Sequence, residues 1–327
     1  KYSASANADS ERQRGDRMSA MHSAPTRLTS SPPQSPPQQA WARDARRGRR
    51  ARIRLFGAGV SKHTVLIALS AMFALPLVWM VGTSVKTAGQ ALQLPVVWWP
   101  HPFVWSNYPD LFASLPYFRF FWNTFLYAAI TIVGVLISSS LVAYGFSRLR
   151  WPGRDGLFYV MLMTLILPFA CTLIPLFVMY KNFGWIGTYL PLEVPTFFGS
   201  SVFSTFLLRQ FFMTIPQSLS EAARIDGANE FYIYSRIIMP LAKPALASVV
   251  LFQFVYCWND YLGPLVYISN QNSYPLSLGL TLILGDYTTN WAWVMAGATA
   301  ATAPIVILFF LTQKTFIQGI SLAGQKG

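Results

Sequence analysis

Six stretches of this sequence are apolar over a length that crosses a lipid bilayer as a helix, which takes roughly 20 residues. They cover residues 64–85, 124–146, 157–180, 191–212, 245–268 and 293–313. Of the whole chain, 53% is hydrophobic and only 11% is charged, against about 25% charged in a soluble domain. Because a lipid-exposed backbone must satisfy its own hydrogen bonds, we predict an all-α, polytopic integral membrane protein with six transmembrane helices. The composition excludes a soluble enzyme built around one large core.

Lysine and arginine are unevenly divided between the loops that join these stretches. One set of alternate loops, together with the two ends of the chain, holds most of them, and the other set holds only Lys86, Arg119 and Lys181. Positive residues accumulate on the cytoplasmic side of membrane proteins, so we predict that both termini are cytoplasmic. The outward-facing loops are then about 87–123, 181–190 and 269–292.

The first 58 residues differ from the rest of the chain. They are rich in proline, serine and glutamine, and arginine becomes dense towards their end. Such a segment buries too little apolar surface to fold, so we predict a disordered, basic cytoplasmic tail over 1–58 and a membrane domain over 59–327. The charge of the tail suits anionic membrane lipid, and we expect no nucleic-acid partner. Because the chain begins at Lys1 with methionines further on, a start codon assigned too far upstream also explains part of the tail.

Residue types that build catalytic or metal sites are scarce. The chain has three histidines, none of them in an apolar stretch, and its two cysteines, Cys171 and Cys257, both lie inside apolar stretches. We therefore predict no disulfide framework, no metal site and no catalytic residues. The sequence also lacks the phosphate-binding pattern G-x-x-x-x-G-K-[ST]. The chain is thus expected to hydrolyse no nucleotide by itself and to bind no cofactor.

The loop between the fourth and fifth stretches, residues 214–243, contains a compact motif. It reads Pro216-Gln-Ser-Leu-Ser-Glu-Ala-Ala-Arg-Ile-Asp-Gly-Ala-Asn-Glu230. Ser218 and Glu221 have the S-x-x-E spacing of a capping box, which predicts the start of a helix. Gly227 can end or bend that helix, and Asn229 can cap the next one. We predict a short helix, a bend and a second helix at the membrane face, with small residues that let another protein approach closely.

This motif resembles the EAA loop of ABC-importer permeases. The shared pattern is Glu-Ala-Ala, three residues, glycine, nine residues, isoleucine, one residue, a hydrophobic position and proline, here from Glu221 to Pro240. The fuller form with Asp226 and Ala228 is similar to the carbohydrate-uptake branch of that family. Met239 departs from the usual leucine, a change that conserves volume.

The resemblance extends beyond the motif. The run Trp258-Asn259-Asp260-Tyr261 and the C-terminal segment 319–327 are similar to the smaller permease of maltose-type importers. The similarity covers about residues 60–327, which is all of the chain except the tail.

A type I ABC-importer permease fold is what this resemblance implies. The chain would be a transmembrane subunit in the cytoplasmic (inner) membrane of a bacterium or archaeon, forming the translocation path for a sugar. In that family the EAA loop is a coupling helix seated in a cleft of a cytoplasmic ATPase subunit. The implied partners are a second permease of different sequence, two ATP-binding subunits that hold ATP and Mg²⁺, an extracytoplasmic solute-binding protein and membrane lipid. The residues implied in coupling are Glu221, Ala222, Ala223, Asp226, Gly227 and Ala228.

Two interpretations remain open for the polar run Trp258, Asn259, Asp260 and Tyr261. On the solute path, these side chains would offer hydrogen-bonding groups and aromatic faces to a sugar. Between helices, they would form a structural polar cluster, since a carboxylate at mid-membrane costs about 2.5–3.5 kcal/mol unless it is paired or hydrated. Glu221 also has two interpretations: it pairs with a basic residue of the ATPase, or it folds back as the capping-box acid.

An ion-coupled secondary carrier or channel for a small polar solute is the alternative function. That class usually has ionisable residues in several spans, whereas here only Asp260 lies well inside a stretch. An intramembrane enzyme would need the nucleophile or metal ligands that the composition does not supply. An anionic solute would need basic residues along its path, and their absence from the interior of these stretches favours a neutral mono- or oligosaccharide. The outer loop 269–292 either helps a binding protein release sugar or is simply solvated.

Overall fold

The computed structural model describes the backbone of residues 62–286 and 290–324, and the side chains of 62–283 and 290–313. The predicted basic tail (1–58) lies outside the described residues. The end of the C-terminal segment that resembles maltose-type permeases lies outside them too.

The described backbone is helical throughout its regular structure, with no β-strand among the described residues. The α-helices are α1 (Lys62–Ser84), α2 (Ala88–Leu92), α3 (Asn107–Ser114), α4 (Tyr117–Ser147), α5 (Arg154–Met163), α6 (Phe169–Asn182), α7 (Leu190–Glu193), α8 (Val202–Thr214), α9 (Gln217–Ile225), α10 (Glu230–Tyr232), α11 (Met239–Leu241), α12 (Lys243–Asn259), α13 (Leu262–Tyr267), α14 (Leu276–Asp286) and α15 (Trp291–Gly324). Short 3₁₀ turns are Thr164–Ile166, Val194–Phe198 and Gln271–Ser273, and Ile233–Ile238 is π-helical. The predicted all-α class is confirmed.

The chain separates into two units, Lys1–Met72 and Phe73–Gly327. In the first unit, the described residues 62–72 are helical and begin α1. All of the packing described below lies within the second unit.

The predicted count of six spans is not confirmed. Among the described residues, α1, α4 and the Trp291–Gln313 part of α15 are each long and apolar enough to cross a membrane. Two further candidates are bent pairs of helices: Arg154–Ile166 with Phe169–Asn182, at 97°, and Glu230–Leu241 with Lys243–Asn259, at 77°. The described part of the chain therefore has three candidate spans, or up to five if each bent pair counts as one.

The fourth predicted span, 191–212, is not one helix. It divides into α7, a 3₁₀ turn and α8. Pro191 and Pro195 lie at the starts of the first two pieces, where the missing N–H of proline costs no helical hydrogen bond. Gly199 then ends the turn with φ 77°, in the left-handed region that glycine adopts without steric cost.

Helix α4 is the element around which the second unit packs. Its buried residues Val135, Ala143 and Tyr144 share a hydrophobic cluster with Leu208 and Phe212 of α8, and with residues 233–249 further along the chain. Close approach to the 3₁₀ turn at 194–198 depends on Gly134, where an added Cβ would lie 2.9 Å from the Phe197 ring. Small residues at such contacts are typical of helix packing in membranes.

The fifth predicted span, 245–268, is interrupted near its middle. Helix α12 ends at Asn259, Asp260 has an extended backbone (ψ 110°), and α13 begins at Leu262. The break exposes backbone groups that a continuous helix would satisfy internally. Non-helical backbone at such a depth is tolerated where it lines a cavity or is buried in protein.

The outer loop 269–292 is not simply solvated, because it contains the helix α14. This helix packs against α4: the Thr124 hydroxyl accepts a hydrogen bond of 2.7 Å from the backbone N–H of Leu276. Of the two interpretations left open for this loop, the plain solvated loop is therefore wrong. The contact joins residues far apart in sequence, so local patterning does not reveal it.

Candidate functional site

Helix α9 carries the Glu-Ala-Ala motif and begins differently from the prediction. Its first residue is Gln217, Pro216 is the N-cap, and no side chain caps it. Ser218 therefore lies inside the helix, and the predicted capping box with Glu221 is wrong. The reason is that Pro216 supplies the helix start two residues earlier, with its own φ fixed near the value seen here (−56°). Glu221 is thus not used as a capping acid.

The C-terminal end of α9 is a Schellman motif built on Gly227. The Gly227 N–H donates to the Arg224 carbonyl (3.1 Å), and the Ala228 N–H donates to the Ala223 carbonyl (2.9 Å). Gly227 has φ 85°, the left-handed conformation that this motif requires and that glycine adopts at least cost. The predicted bend at Gly227 is confirmed.

The second short helix also begins as predicted. Asn229 is the N-cap of α10, and its side-chain oxygen accepts a hydrogen bond of 2.8 Å from the Tyr232 N–H. This satisfies one of the donors that every helix start leaves unpaired. The helix–bend–helix arrangement is therefore present in the structure.

The implied coupling residues divide between two faces of the motif. Ala223 and Ala228 pack against the hydrophobic cluster below the loop. The other four are exposed: Glu221, Ala222, Asp226 and Gly227. Glu221 forms no hydrogen bond or ion pair among the described residues, although it lies within electrostatic range of Arg224.

Two apolar side chains of α9 were not singled out in the sequence. Ile225 is 87% exposed and Leu219 is 44% exposed, so the outer face of α9 combines a carboxylate with apolar surface. A scan for apolar residues on a short helix that the core does not need would have found them. Exposed apolar groups rimmed by polar ones are typical of a protein docking site.

Polar contacts fasten the loop to α4. The Glu230 carboxylate accepts a hydrogen bond from Arg224 Nε (2.7 Å) through one oxygen and from the Tyr144 hydroxyl (2.6 Å) through the other. The hydrogen bond to Glu230 raises the pKa of the Arg224 guanidinium above its ordinary value. Arg148, 4% exposed, donates through Nη2 to the carbonyls of Phe212 (2.6 Å) and Ile215 (2.8 Å).

A cavity of about 810 Å³ lies among α4, α6, α8, α12 and α13. Its wall is mostly apolar, with polar groups from six longer side chains and from several serines and a threonine. The six longer polar residues are Tyr127, Tyr180, Gln253, Tyr256, Asp260 and Tyr267. Among the described residues that line it there is no lysine, arginine or histidine, so its only full charge is negative.

Asp260 is held firmly at this cavity. Its Oδ2 accepts a hydrogen bond from the Tyr127 hydroxyl (2.9 Å), and its Oδ1 accepts one from the Gly263 N–H (3.1 Å). Its backbone carbonyl accepts a third, from Ser277 Oγ (2.6 Å). The carboxylate therefore bridges α4 and α13 at the point where the helix is broken.

The other three residues of the polar run lie outside the cavity lining. Trp258 is buried against Phe254 and donates through Nε1 to the Ala301 carbonyl (2.9 Å). Asn259 is exposed and bonds back to its own helix, and Tyr261 is 41% exposed. The structure thus brings only Asp260 of the four to the cavity.

Gln253 and Tyr256 were not identified from the sequence as cavity residues, although their spacing held a signal. Together with Asp260 they stand at positions i, i+3 and i+7, which lie on one face of a helix. Tyr127 joins them from α4, more than a hundred residues earlier in the chain, and no local pattern links it to them. Among the described residues no cluster of His, Cys, Asp and Glu could hold a metal ion.

Comparison with known proteins points to one family. Residues 134–321 match the family model described as "Binding-protein-dependent transport system inner membrane component". The chain is 31% identical to the arabinooligosaccharides transport system permease protein AraQ of Bacillus subtilis (strain 168), over 79% of this chain and 92% of the relative. It is 30% identical to the lactose transport system permease protein LacG of Rhizobium radiobacter, over 80% and 94%.

Further similarity comes from a third relative and from a solved structure. The sn-glycerol-3-phosphate transport system permease protein UgpE of Brucella abortus (strain 2308) is 31% identical over 79% of this chain and 94% of its own. A chain in the crystal structure of a bacterial ABC transporter, involved in the import of the acidic polysaccharide alginate, aligns with a TM-score of 0.70 and 25% identity. That alignment covers 80% of this chain and 97% of the other.

Proposed function

Because the chain belongs to the family of binding-protein-dependent transport system inner membrane components, as a multi-pass permease subunit of an ABC importer, we propose that it conducts a sugar and is driven through α9. In this proposal, α9 docks in a cleft of a cytoplasmic ATPase subunit. ATP and Mg²⁺ bind to the ATPase, and this subunit performs no hydrolysis of its own. Both termini then lie in the cytoplasm.

The observation that carries the coupling role is the exposed outer face of α9. Glu221 is free of the capping role that would have occupied it, and Ile225, one turn further along the helix, adds exposed apolar surface next to it. An ATPase surface with a basic residue next to an apolar pocket would complement this face in both charge and shape. The exposed side of Gly227 lets the partner backbone come close, because nothing lies within 4 Å of the position of an added Cβ there.

The cavity supports a neutral solute on the side of this subunit. Asp260 and the nearby tyrosine and glutamine groups can accept and donate hydrogen bonds to sugar hydroxyls, and the apolar wall can contact sugar C–H faces. The relatives are named for both neutral and anionic solutes. A cavity whose only full charge is a carboxylate disfavours a phosphate or a uronate, so we assign a neutral mono- or oligosaccharide.

The proposed assembly contains this chain, a second permease of different sequence, two ATP-binding subunits and an extracytoplasmic solute-binding protein within the lipid membrane. Membership of the importer family leaves no specific observation in favour of an ion-coupled carrier. Mass spectrometry of the complex, extracted gently from its native membrane, would identify these partners and the sugar carried by the binding protein.

The charge reversal Glu221→Lys tests the coupling role. We expect recovery of the ATPase subunit with the tagged chain to fall at least about tenfold, because a desolvated interface charge pair is worth more than this factor. The matched control is Asp110→Lys, which makes the same charge change at an exposed residue of α3, in a loop predicted to face outward. Equal ATPase recovery with both variants would contradict the proposal, as would a wild-type complex that contains no ATPase.

A further inference from the structure

The last turn of α4 contacts the chain on both sides of α9. Tyr144 and Arg148 are four residues apart, so they lie on one face of the helix. Arg148 holds the carbonyls of Phe212 and Ile215, at 2.6 and 2.8 Å, immediately before α9 begins. Tyr144 holds Glu230, at 2.6 Å, just after α9 ends. One face of α4 is therefore hydrogen-bonded to the chain just before and just after the Glu-Ala-Ala helix.

Glu230 connects these hydrogen bonds from α4 to α9 itself. Its second carboxylate oxygen accepts a hydrogen bond of 2.7 Å from Arg224, which lies in the last turn of α9. The chain of contacts runs from Arg224 through Glu230 to Tyr144, and bypasses the bend at Gly227. Hydrogen bonds that involve an ionised group are shorter and about twice as strong as neutral ones. These contacts therefore tie the end of α9 to α4 across the bend.

Arg148 is placed in a position that stability alone does not favour. It is 4% exposed, and its Nε and Nη1 atoms have no hydrogen-bond partner among the described residues. A buried guanidinium that lacks partners for two nitrogens destabilises the folded state. Its contacts do, however, fix the position of the junction between α8 and α9 relative to α4.

The same helix reaches the cavity without a break. Tyr127 lies 17 residues before Tyr144, about 25 Å away at the helical rise of 1.5 Å per residue. Its hydroxyl bonds Asp260 at 2.9 Å. The two bent candidate spans have angles of 97° and 77°, whereas α4 continues from Tyr117 to Ser147 as a single helix. A continuous helix transmits a displacement that a bent pair would absorb.

We propose that Tyr144, Arg148 and Glu230 are positioning residues of the transport cycle, which fasten α9 to α4 so that displacement of α9 by the ATPase reaches Tyr127 and Asp260 at the cavity. This rests on the coupling role proposed for α9. The residues touch neither the solute nor the nucleotide. They determine how much of the motion of α9 reaches the solute path.

The test follows the accessibility of the cavity in the complete complex. The exposed Cys171 is replaced (Cys171→Ala), the fully buried Cys257 is kept, and Ser200→Cys places one thiol in the cavity lining. The rate of maleimide labelling is measured with and without ATP and Mg²⁺. In this background we expect the nucleotide to change the rate. With Tyr144→Phe added, we expect that change to shrink by about tenfold, as expected for loss of one hydrogen bond to a carboxylate.

Tyr234→Phe is the matched control, because the Tyr234 hydroxyl is hydrogen-bonded (2.7 Å) to the neutral hydroxyl of Ser140, which also lies in α4. It should keep the full response to nucleotide. Glu230→Gln is the second variant. If the Tyr144→Phe chain fails to fold, Glu230→Gln takes its place, and we expect it to show the same loss of response to nucleotide. An unchanged labelling rate without nucleotide, with full recovery of the ATPase, shows that a variant is assembled.

The outcomes separate the two proposals. Assembled Tyr144→Phe complexes that respond to nucleotide as the background does would overturn the positioning role, and so would an equal loss in Tyr234→Phe. If the background itself shows no response to nucleotide, or if Glu221→Lys leaves the response intact, the coupling role of α9 fails and the positioning role fails with it. Loss of response in Tyr144→Phe alone, with ATPase still bound, supports both.

Discussion

Replacing Gly227 by alanine should loosen the end of α9 without creating a clash. Nothing lies within 4 Å of the position of an added Cβ, so the cost comes from the backbone conformation at φ 85°. A residue with a side chain loses about 1–2 kcal/mol in the left-handed region. That energy corresponds to a change of about 5- to 30-fold in the equilibrium between the closed and opened turn.

Hydrogen exchange measures this opening directly. The backbone amides of residues 227 and 228 are protected by their bonds to the Arg224 and Ala223 carbonyls. In Gly227→Ala their exchange, followed by mass spectrometry on the purified chain, should accelerate by about 5- to 30-fold, since local opening sets the rate.

Gly156→Ala is the matched control, because Gly156 lies inside α5 with open space around an added Cβ and no left-handed φ. Alanine is favoured over glycine there by about 0.5–1 kcal/mol, so exchange in α5 should slow or stay constant, and exchange in α9 should not change. Exchange at residues 227 and 228 that is the same in Gly227→Ala as in wild type would refute the Schellman account of this bend.

Two further predictions concern the cavity and the packing of α4. Asp260→Asn keeps the size of the side chain but removes its charge. It should lower uptake of the sugar carried by the binding protein about tenfold, the loss expected for a hydrogen bond to a charged group. The control Asn259→Ala, at an exposed site outside the lining, should transport as wild type, and equal rates in both variants would contradict the role of Asp260. Gly134→Ala places a Cβ 2.9 Å from the Phe197 ring and should destabilise the chain by about 1–3 kcal/mol, measured as lower thermal stability in detergent; Gly145→Ala on the same helix, where nothing lies within 4 Å, should show no such loss.

The features predictable from sequence are those whose signals are local. Apolar composition predicted the all-α class, and Gly227 and Asn229 predicted the bend and the second cap, because a glycine conformation and an Asx cap each involve only a few neighbouring residues. The capping box at Ser218 failed for an equally local reason. Two start signals lay within three residues, and Pro216 prevailed because its fixed φ needs no side-chain hydrogen bond.

The features that could not be predicted depend on distant residues. The hydrogen bond between Thr124 and Leu276 joins α4 to α14, and the one between Tyr127 and Asp260 closes one side of the cavity. Hydropathy averages over a window and does not register single residues, so it indicated one span over 191–212 although Pro195 and Gly199 divide it. Six apolar stretches in sequence therefore do not become six continuous helices.

The breaks in the helices coincide with the candidate functional residues, and this distribution has a mechanical consequence. Asp260 lies where α12 ends, and Gly227 lies where α9 ends. Both breaks contact α4, through Tyr127 at one end and through the Glu230–Tyr144 bond at the other. A local break permits motion at low cost, whereas a continuous helix preserves the distance between its ends. Motion at one break reaches the other only while the helix that joins them stays continuous. A variant that breaks α4 between Tyr127 and Tyr144 should therefore uncouple the cavity from α9, even with every contact at the two ends retained.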